Sequence, residues 1–152
     1  MSRLIEDLTD DVERMARSFL LAAHGAGLSV SVTSTMRTED EQVALWAQGR
    51  GVLELVNLLR QRAGMKPISQ CDNNIVTKCD GINTTSAHQK RKSMDVVLLN
   101  KYGDPIWHVS AALGEYKTLG RIAKENGFKW GGDFKPIDPL TGLGWDPFHV
   151  EV

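Results

Sequence analysis

Three short segments of this chain carry the residue types that metal-assisted hydrolysis requires. A site of that kind takes three nitrogen or oxygen ligands and leaves a fourth position to water. It needs a nearby carboxylate to accept the water's proton, and a cation to meet the charge that develops on the attacked carbonyl oxygen. The first segment is Ser86-Ala87-His88, followed by Asp95. On one regular strand, residues at this odd spacing point to opposite faces. His88 and Asp95 reach one ion only if the chain turns between them, and Gln89-Lys90-Arg91-Lys92 is polar enough to make that turn. Alone, the pair is also compatible with two unrelated roles.

The second segment is Asp146-Pro147-Phe148-His149-Val150-Glu151. Proline cannot donate to a sheet ladder, so a kink at Pro147 is expected, and it would aim Asp146 and His149 at one point. Glu151 returns to the His149 side of the strand, where it either orients that imidazole or is simply solvated. The third is Thr33-Ser34-Thr35-Met36-Arg37. An Arg after a strand and before a helix reaches over the sheet end toward a carbonyl or carboxylate, or forms a surface ion pair.

The elements that must position these groups are legible in outline. Leu4, Ile5, Leu8, Val12, Met15, Ala16, Phe19 and Leu20 recur at helical spacing as far as His24. Leu28 to Thr33 alternates as a half-buried strand. Thr38 is a good N-cap for a helix opening Glu39-Asp40-Glu41, with the carboxylates at the positive end of its dipole. Val52 to Leu59 reads as a further helix, Gly64 to Thr85 as a long polar loop, and Ser93 to Leu99 as a mostly buried strand. Pro105 to Trp107 is expected to start a short return strand. A helix follows over Leu113 to Asn126, with short strands at Phe128–Trp130 and Phe148–Val152. This mixture predicts an α+β fold.

Composition bounds the rest. The 152 residues suit one domain, and 41% hydrophobic with 24% charged residues is ordinary for a globular chain. A formal charge of −1 gives no basic field for nucleic acid, and no run is long enough to span a bilayer. The acidic start, Met1-Ser2-Arg3-Leu4-Ile5-Glu6-Asp7, lacks the pattern of a secretory signal, so synthesis in the cytoplasm is expected. Cys71 and Cys79 are spaced too widely for a zinc knuckle. They read as free thiols, with a disulfide formed after release as the alternative.

Together these blocks resemble the M15 metallopeptidases, a family of D-alanyl-D-alanine dipeptidases and carboxypeptidases and phage L-alanyl-D-glutamate endopeptidases. Thr33 to Gln42, continuing through Leu45-Trp46-Ala47-Gln48-Gly49-Arg50, is similar to the family's "TSGYRS-EEQ…LYAQGR". Ser86-Ala87-His88 with Asp95 is similar to "SxHxxGxAxD", and Trp130-Gly131-Gly132-Asp133-Phe134 through Asp146–Glu151 to "WGGDW…DxPHFE". The resemblance spans roughly residues 30 to 152 in family order. It implies a small antiparallel sheet with flanking helices, the hedgehog/DD-peptidase-like fold, over residues 1–152 as one catalytic domain.

It also implies roles. His88, Asp95 and His149 would bind one catalytic Zn2+, Asp146 would be the general base, and Arg37 would polarise the scissile carbonyl. Ser86, Gln42 and Trp130 are expected to touch substrate, with Glu151 behind a ligand. The implied partner is the peptidoglycan stem peptide, met by a monomer at the bacterial wall after release through a phage holin. A D-alanyl-D-alanine carboxypeptidase and a silent zinc module that only binds are the alternatives. The chain departs from the family at Arg91, where the ligand motif has glycine, and at Ser93, where it has alanine. Pro147-Phe148 also reverses the family's small-residue-then-proline order, and Lys90-Arg91-Lys92 reads either as a solvated turn or as an attraction for an acidic peptide.

Overall fold

The computed structural model describes residues 1–152. Four helices, α1 (Asp10–Gly25), α2 (Glu39–Ala47), α3 (Leu53–Arg62) and α4 (Leu113–Glu125), accompany four strands, β1 (Val30–Ser34), β2 (Ser93–Leu98), β3 (Lys129–Trp130) and β4 (His149–Glu151). The strands form one antiparallel sheet in the order β1-β2-β4-β3. The expected α+β layout with a small antiparallel sheet is what forms.

One face of the sheet builds the core. Met94, Val96 and Leu98 of β2 join Val150 and Trp130 against Val12, Ala16 and Phe19 of α1 and Tyr116, Leu119 and Ile122 of α4. Alternation along β2 then sends Ser93, Asp95 and Val97 to the other face. The strand that anchors the hydrophobic core therefore also presents a carboxylate away from it.

Several boundaries depart from expectation. Leu4 and Ile5 do not belong to α1: Ile5–Asp7 forms a separate short turn, and α1 starts after Thr9. Leu8 between them is fully buried, so the chain must change direction to seat it. Pro105 makes only an isolated bridge to Leu99, because the proline nitrogen cannot continue a ladder. The Thr38 cap is as expected, completed by Glu41 into a reciprocal capping box. No helix is long and apolar enough to cross a membrane.

Candidate metal centre and cleft

Register brings the distant segments together. Asp95 of β2 lies directly across from His149 of β4 and, on its other side, from Ser34 of β1. Directly opposed residues share a face, with Cβ atoms about 5 Å apart, so Asp95 and His149 meet without any special loop. His88 arrives by the turn that the sequence demanded. Lys90, Arg91 and Lys92 donate their amides back to the carbonyls of Ser86, His88 and Ala87. Arg91, at the family's glycine position, takes φ of 59°. Such a conformation costs a side-chain-bearing residue roughly 1 kcal/mol or more. Here the guanidinium gains hydrogen bonds to the carbonyls of Asp7 and Leu8, which offset that cost.

The three candidate ligands converge. One donor atom each from His88, Asp95 and His149 lies within 4.8 Å of the others. Asp95 Oδ1 is 3.3 Å from His88 Nε2 and 2.9 Å from His149 Nδ1. The outward nitrogens are both engaged: the Thr35 carbonyl lies 2.6 Å from His88 Nδ1, and Glu151 Oε2 lies 3.1 Å from His149 Nε2. A neutral imidazole that donates through one nitrogen must offer a lone pair at the other. His88 thus presents Nε2 and His149 presents Nδ1. Two oriented imidazoles and one carboxylate make a donor set suited to zinc, so the residues present fit such an ion. Burial alone would raise the Asp95 carboxyl, but its close contacts with the His149 and His88 rings hold it well below the usual carboxylate range while no cation is bound.

Asp146 stands beside this group. The His149 amide donates to the Asp146 carbonyl at 3.1 Å, closing a turn through Pro147 and Phe148. The Trp130 indole donates to the Pro147 carbonyl at 2.9 Å, and Phe148 packs edge-on to Tyr116 with ring centres 5.5 Å apart. The reversed Pro-Phe order is therefore accommodated by packing the half-buried phenyl ring against the edge of the core, between Tyr116 and Trp107. Gly131 lies so close to the Asp146 carbonyl that a Cβ would collide with it. Gly132 faces the Trp130 ring in the same way. Burial pushes the Asp146 carboxyl up to about 6; neighbouring Asp95 adds to this, and His149, His88 and Arg37 oppose it.

Arg37 lines the same cleft of about 530 Å³, with His88, Asp95, Asp146 and His149. Its Nη1 donates to Gln42 Oε1 at 2.8 Å, while its buried Nε has no partner. Burial lowers its pKa, opposed by the charges of Asp95 and Glu41. Ser86 also lines the cleft, where its hydroxyl accepts from the Gln89 amide at 3.2 Å.

Two expected substrate contacts are corrected. Gln42 is fully buried. Its amide spans from Arg37 to Thr77 Oγ1 and the Cys79 carbonyl, so it ties the 64–85 segment to the arginine and cannot touch substrate. Trp130 is 4% exposed and belongs to the core, where it braces the Pro147 turn. Cys71 and Cys79 are free thiols. Sequence reasoning missed three contributors to the site. Thr35 acts through its carbonyl, which no residue type signals. Phe134 and Trp145 are aromatic lining residues, and Trp145 had the signal of directly preceding Asp146.

Peptidoglycan L-alanyl-D-glutamate endopeptidase CwlK of Bacillus subtilis (strain 168) is 30% identical over 146 residues, spanning 93% of this chain and 75% of that relative. The chain belongs to the M15 peptidases. A family model described as D-alanyl-D-alanine carboxypeptidase matches residues 80–151 of this M15 peptidase, the part holding all three candidate ligands. Solved structures share its fold at low identity. They include the LdcB LD-carboxypeptidase (TM-score 0.59, 15% identity, 95% of this chain and 58% of that one). The Serratia marcescens L-Ala D-Glu endopeptidase ChiX is another (0.51, 19%, 97% and 82%). A third is the D,D-pentapeptidase VanY E175A mutant in complex with Zn(II) (0.54, 16%, 95% and 71%). This M15 chain therefore spans somewhat over half of the LdcB structure.

Proposed function

We propose that this M15 peptidase is a zinc-dependent endopeptidase that cuts the peptidoglycan stem peptide between L-alanine and D-glutamate. The observation that carries the reading is the convergence of His88, Asp95 and His149 on one point, with Asp146 and Arg37 lining the same cleft. The choice of bond is supported by the relative of that named activity, which the chain matches over most of its length.

His88, Asp95 and His149 would hold the zinc. When bound, it supplies Lewis acidity, lowering the pKa of water from 15.7 toward about 7. Asp146 accepts the proton of the attacking water and delivers it to the departing amine. Burial raises its carboxyl to about 6 in the metal-free cleft, toward the range that suits a general base at neutral pH. Arg37, which lines the cleft, brings its positive charge to the oxygen of the attacked carbonyl; losing one such contact typically costs on the order of 3 kcal/mol in the barrier. Gln42 fixes the guanidinium from behind. The same proposal includes a lysis role at the bacterial wall, reached from the cytoplasm through a phage holin.

The second reading, removal of terminal D-alanine, is favoured by the description of the matching family model. Mass spectrometry of digested muropeptides separates the two. A new free amine on D-glutamate supports the endopeptidase, and loss of terminal D-alanine replaces it with the carboxypeptidase. A zinc-loaded protein that releases neither, and never clears a wall suspension, is a binding module.

A further inference from the structure

The proposed chemistry leaves one conspicuous feature of the cleft unused. Lys78, Lys90 and Lys92 all line it. All three are exposed, and none takes part in an ion pair. The two lysines of the turn flank Arg91, whose guanidinium is committed to the carbonyls of Asp7 and Leu8 and does not line the cleft. The turn therefore sorts its three cations: the middle one anchors the backbone, and the outer two border the cavity. The Asp11 carboxyl is held down chiefly by its hydrogen bond from Thr9, with Lys92 as the least of the contributors and no ion pair between them.

The charge balance of the lining points the same way. With Arg37, the lysines give four side-chain cations against the side-chain carboxylates of Asp95, Asp146 and Glu151, with Val152, the last residue of the sequence, also at the lining. Asp95 and Glu151 are already engaged by the imidazoles of His149 and His88. A divalent cation at the three ligands would tilt the lining further positive, although the whole chain carries −1. A cleft of one sign walled by low-dielectric protein concentrates ligands of the opposite sign. Two other lining residues differ in character. The segment between β3 and β4 contributes Phe134 and Trp145, with ring centres 6.2 Å apart, and Phe134 stands 6.1 Å from His149.

We infer that Lys90 and Lys92, with Lys78 from the 64–85 segment, form a carboxylate-recognition rim. It selects an acidic peptide whose free carboxylate lies next to the bond to be cut, while Phe134 and Trp145 take the apolar residue. Lysine suits this task as a mobile point charge that needs no fixed partner geometry. The inference rests on the proposed peptidase reading, because it assumes that a peptide occupies this cleft. It adds that the glutamate α-carboxylate, free or amidated, decides which walls are good substrates.

The test uses two stem peptides identical except that one carries the D-glutamate α-carboxylate and the other its carboxamide. Binding of each to the chelated full chain is measured by calorimetry at low and moderate salt, and kcat/KM for each is measured on the zinc-loaded chain. The expected result is roughly tenfold tighter binding of the acidic peptide, since one charge-assisted contact is worth about 1.5 kcal/mol or more. That preference should shrink with salt, vanish in Lys78→Met/Lys90→Met/Lys92→Met, and survive in Lys78→Arg/Lys90→Arg/Lys92→Arg. Equal binding of the two peptides by the unmodified chain overturns the inference, as does a preference that persists in the methionine variant. Preferential binding without any cleavage leaves the rim standing and sinks the proposed reaction instead.

Discussion

The Thr35 carbonyl oxygen lies 2.6 Å from His88 Nδ1, and that contact decides which nitrogen of His88 faces Asp95 and the candidate metal site. Thr35 follows β1 directly, and its own amide donates to the Ser2 carbonyl. The ring is thus oriented by a backbone group held in place from both sides. The partner imidazole is oriented differently, by the carboxylate of Glu151 on its own strand.

Glu151 should therefore control metal affinity without touching the metal. Loss of such an outer partner typically weakens affinity 10- to 100-fold. Glu151→Ala is expected to release zinc at about that much lower chelator concentration in a competition titration. Unchanged affinity would assign Glu151 to solvent.

His149→Ala should lose zinc and activity together, because it removes one of three ligands. Asp146→Ala should separate the two: zinc content stays at one per chain, while kcat falls by roughly 10²–10⁴-fold. Metal analysis alongside muropeptide turnover checks both variants. Near-normal turnover in Asp146→Ala would remove it from the chemistry.

The raised Asp146 carboxyl also makes a stability prediction with a definite sign. Its pKa moves from 3.8 to about 6 in the folded chain, the reverse of the usual carboxylate case. Between those values the folded state holds a proton that the unfolded state has lost, so ionised Asp146 costs stability above pH 6 and costs nothing below about pH 4. The shift corresponds to about 3 kcal/mol at most, less after solvent screening at a cleft. With metal chelated, Asp146→Asn should melt several degrees higher than the parent at pH 8, the difference closing as pH falls toward 4. A lower melting point at pH 8 would contradict the assigned environment.

Arg91 offers a test of the turn before β2. Arg91→Ala keeps the left-handed conformation but loses the bonds to the Asp7 and Leu8 carbonyls, so it should destabilise by about 1–3 kcal/mol. Arg91→Gly loses the same bonds but relieves the conformational cost, and should recover roughly 1 kcal/mol of that loss. Urea midpoints rank the three chains, and the order parent, glycine, alanine is expected. Alanine above glycine would mean that φ at this position is not what limits the turn.

Gln42 connects Arg37 with the 64–85 segment. Gln42→Leu keeps the volume and removes three hydrogen bonds, leaving the Cys79 carbonyl and Thr77 hydroxyl without that partner. The loop wall should loosen and Arg37 lose its orientation. We expect lower kcat/KM with unchanged zinc content, together with faster hydrogen exchange over residues 77–79. Normal exchange there would mean that the loop is held instead by other contacts, such as the hydrogen bond from Arg50 to the Thr77 carbonyl.

Much of this was written in the sequence. Alternation over Leu28–Thr33, the Thr38 cap and the apolar run at Met94 depend on local periodicity and capping, and these survive into the structure because neighbours along the chain set them. The ligand types, and the need for a turn between His88 and Asp95, were legible for the same reason. Tertiary structure alone decided the rest. Pairing register placed Asp95 opposite His149, a relation between strands that no local pattern encodes. Burial removed Gln42 and Trp130 from the substrate side, since the same polar or aromatic residue type serves a cleft or a core depending on what packs over it. The division of labour among Lys90, Arg91 and Lys92 likewise became visible only when one side chain found carbonyls to bind and the other two did not.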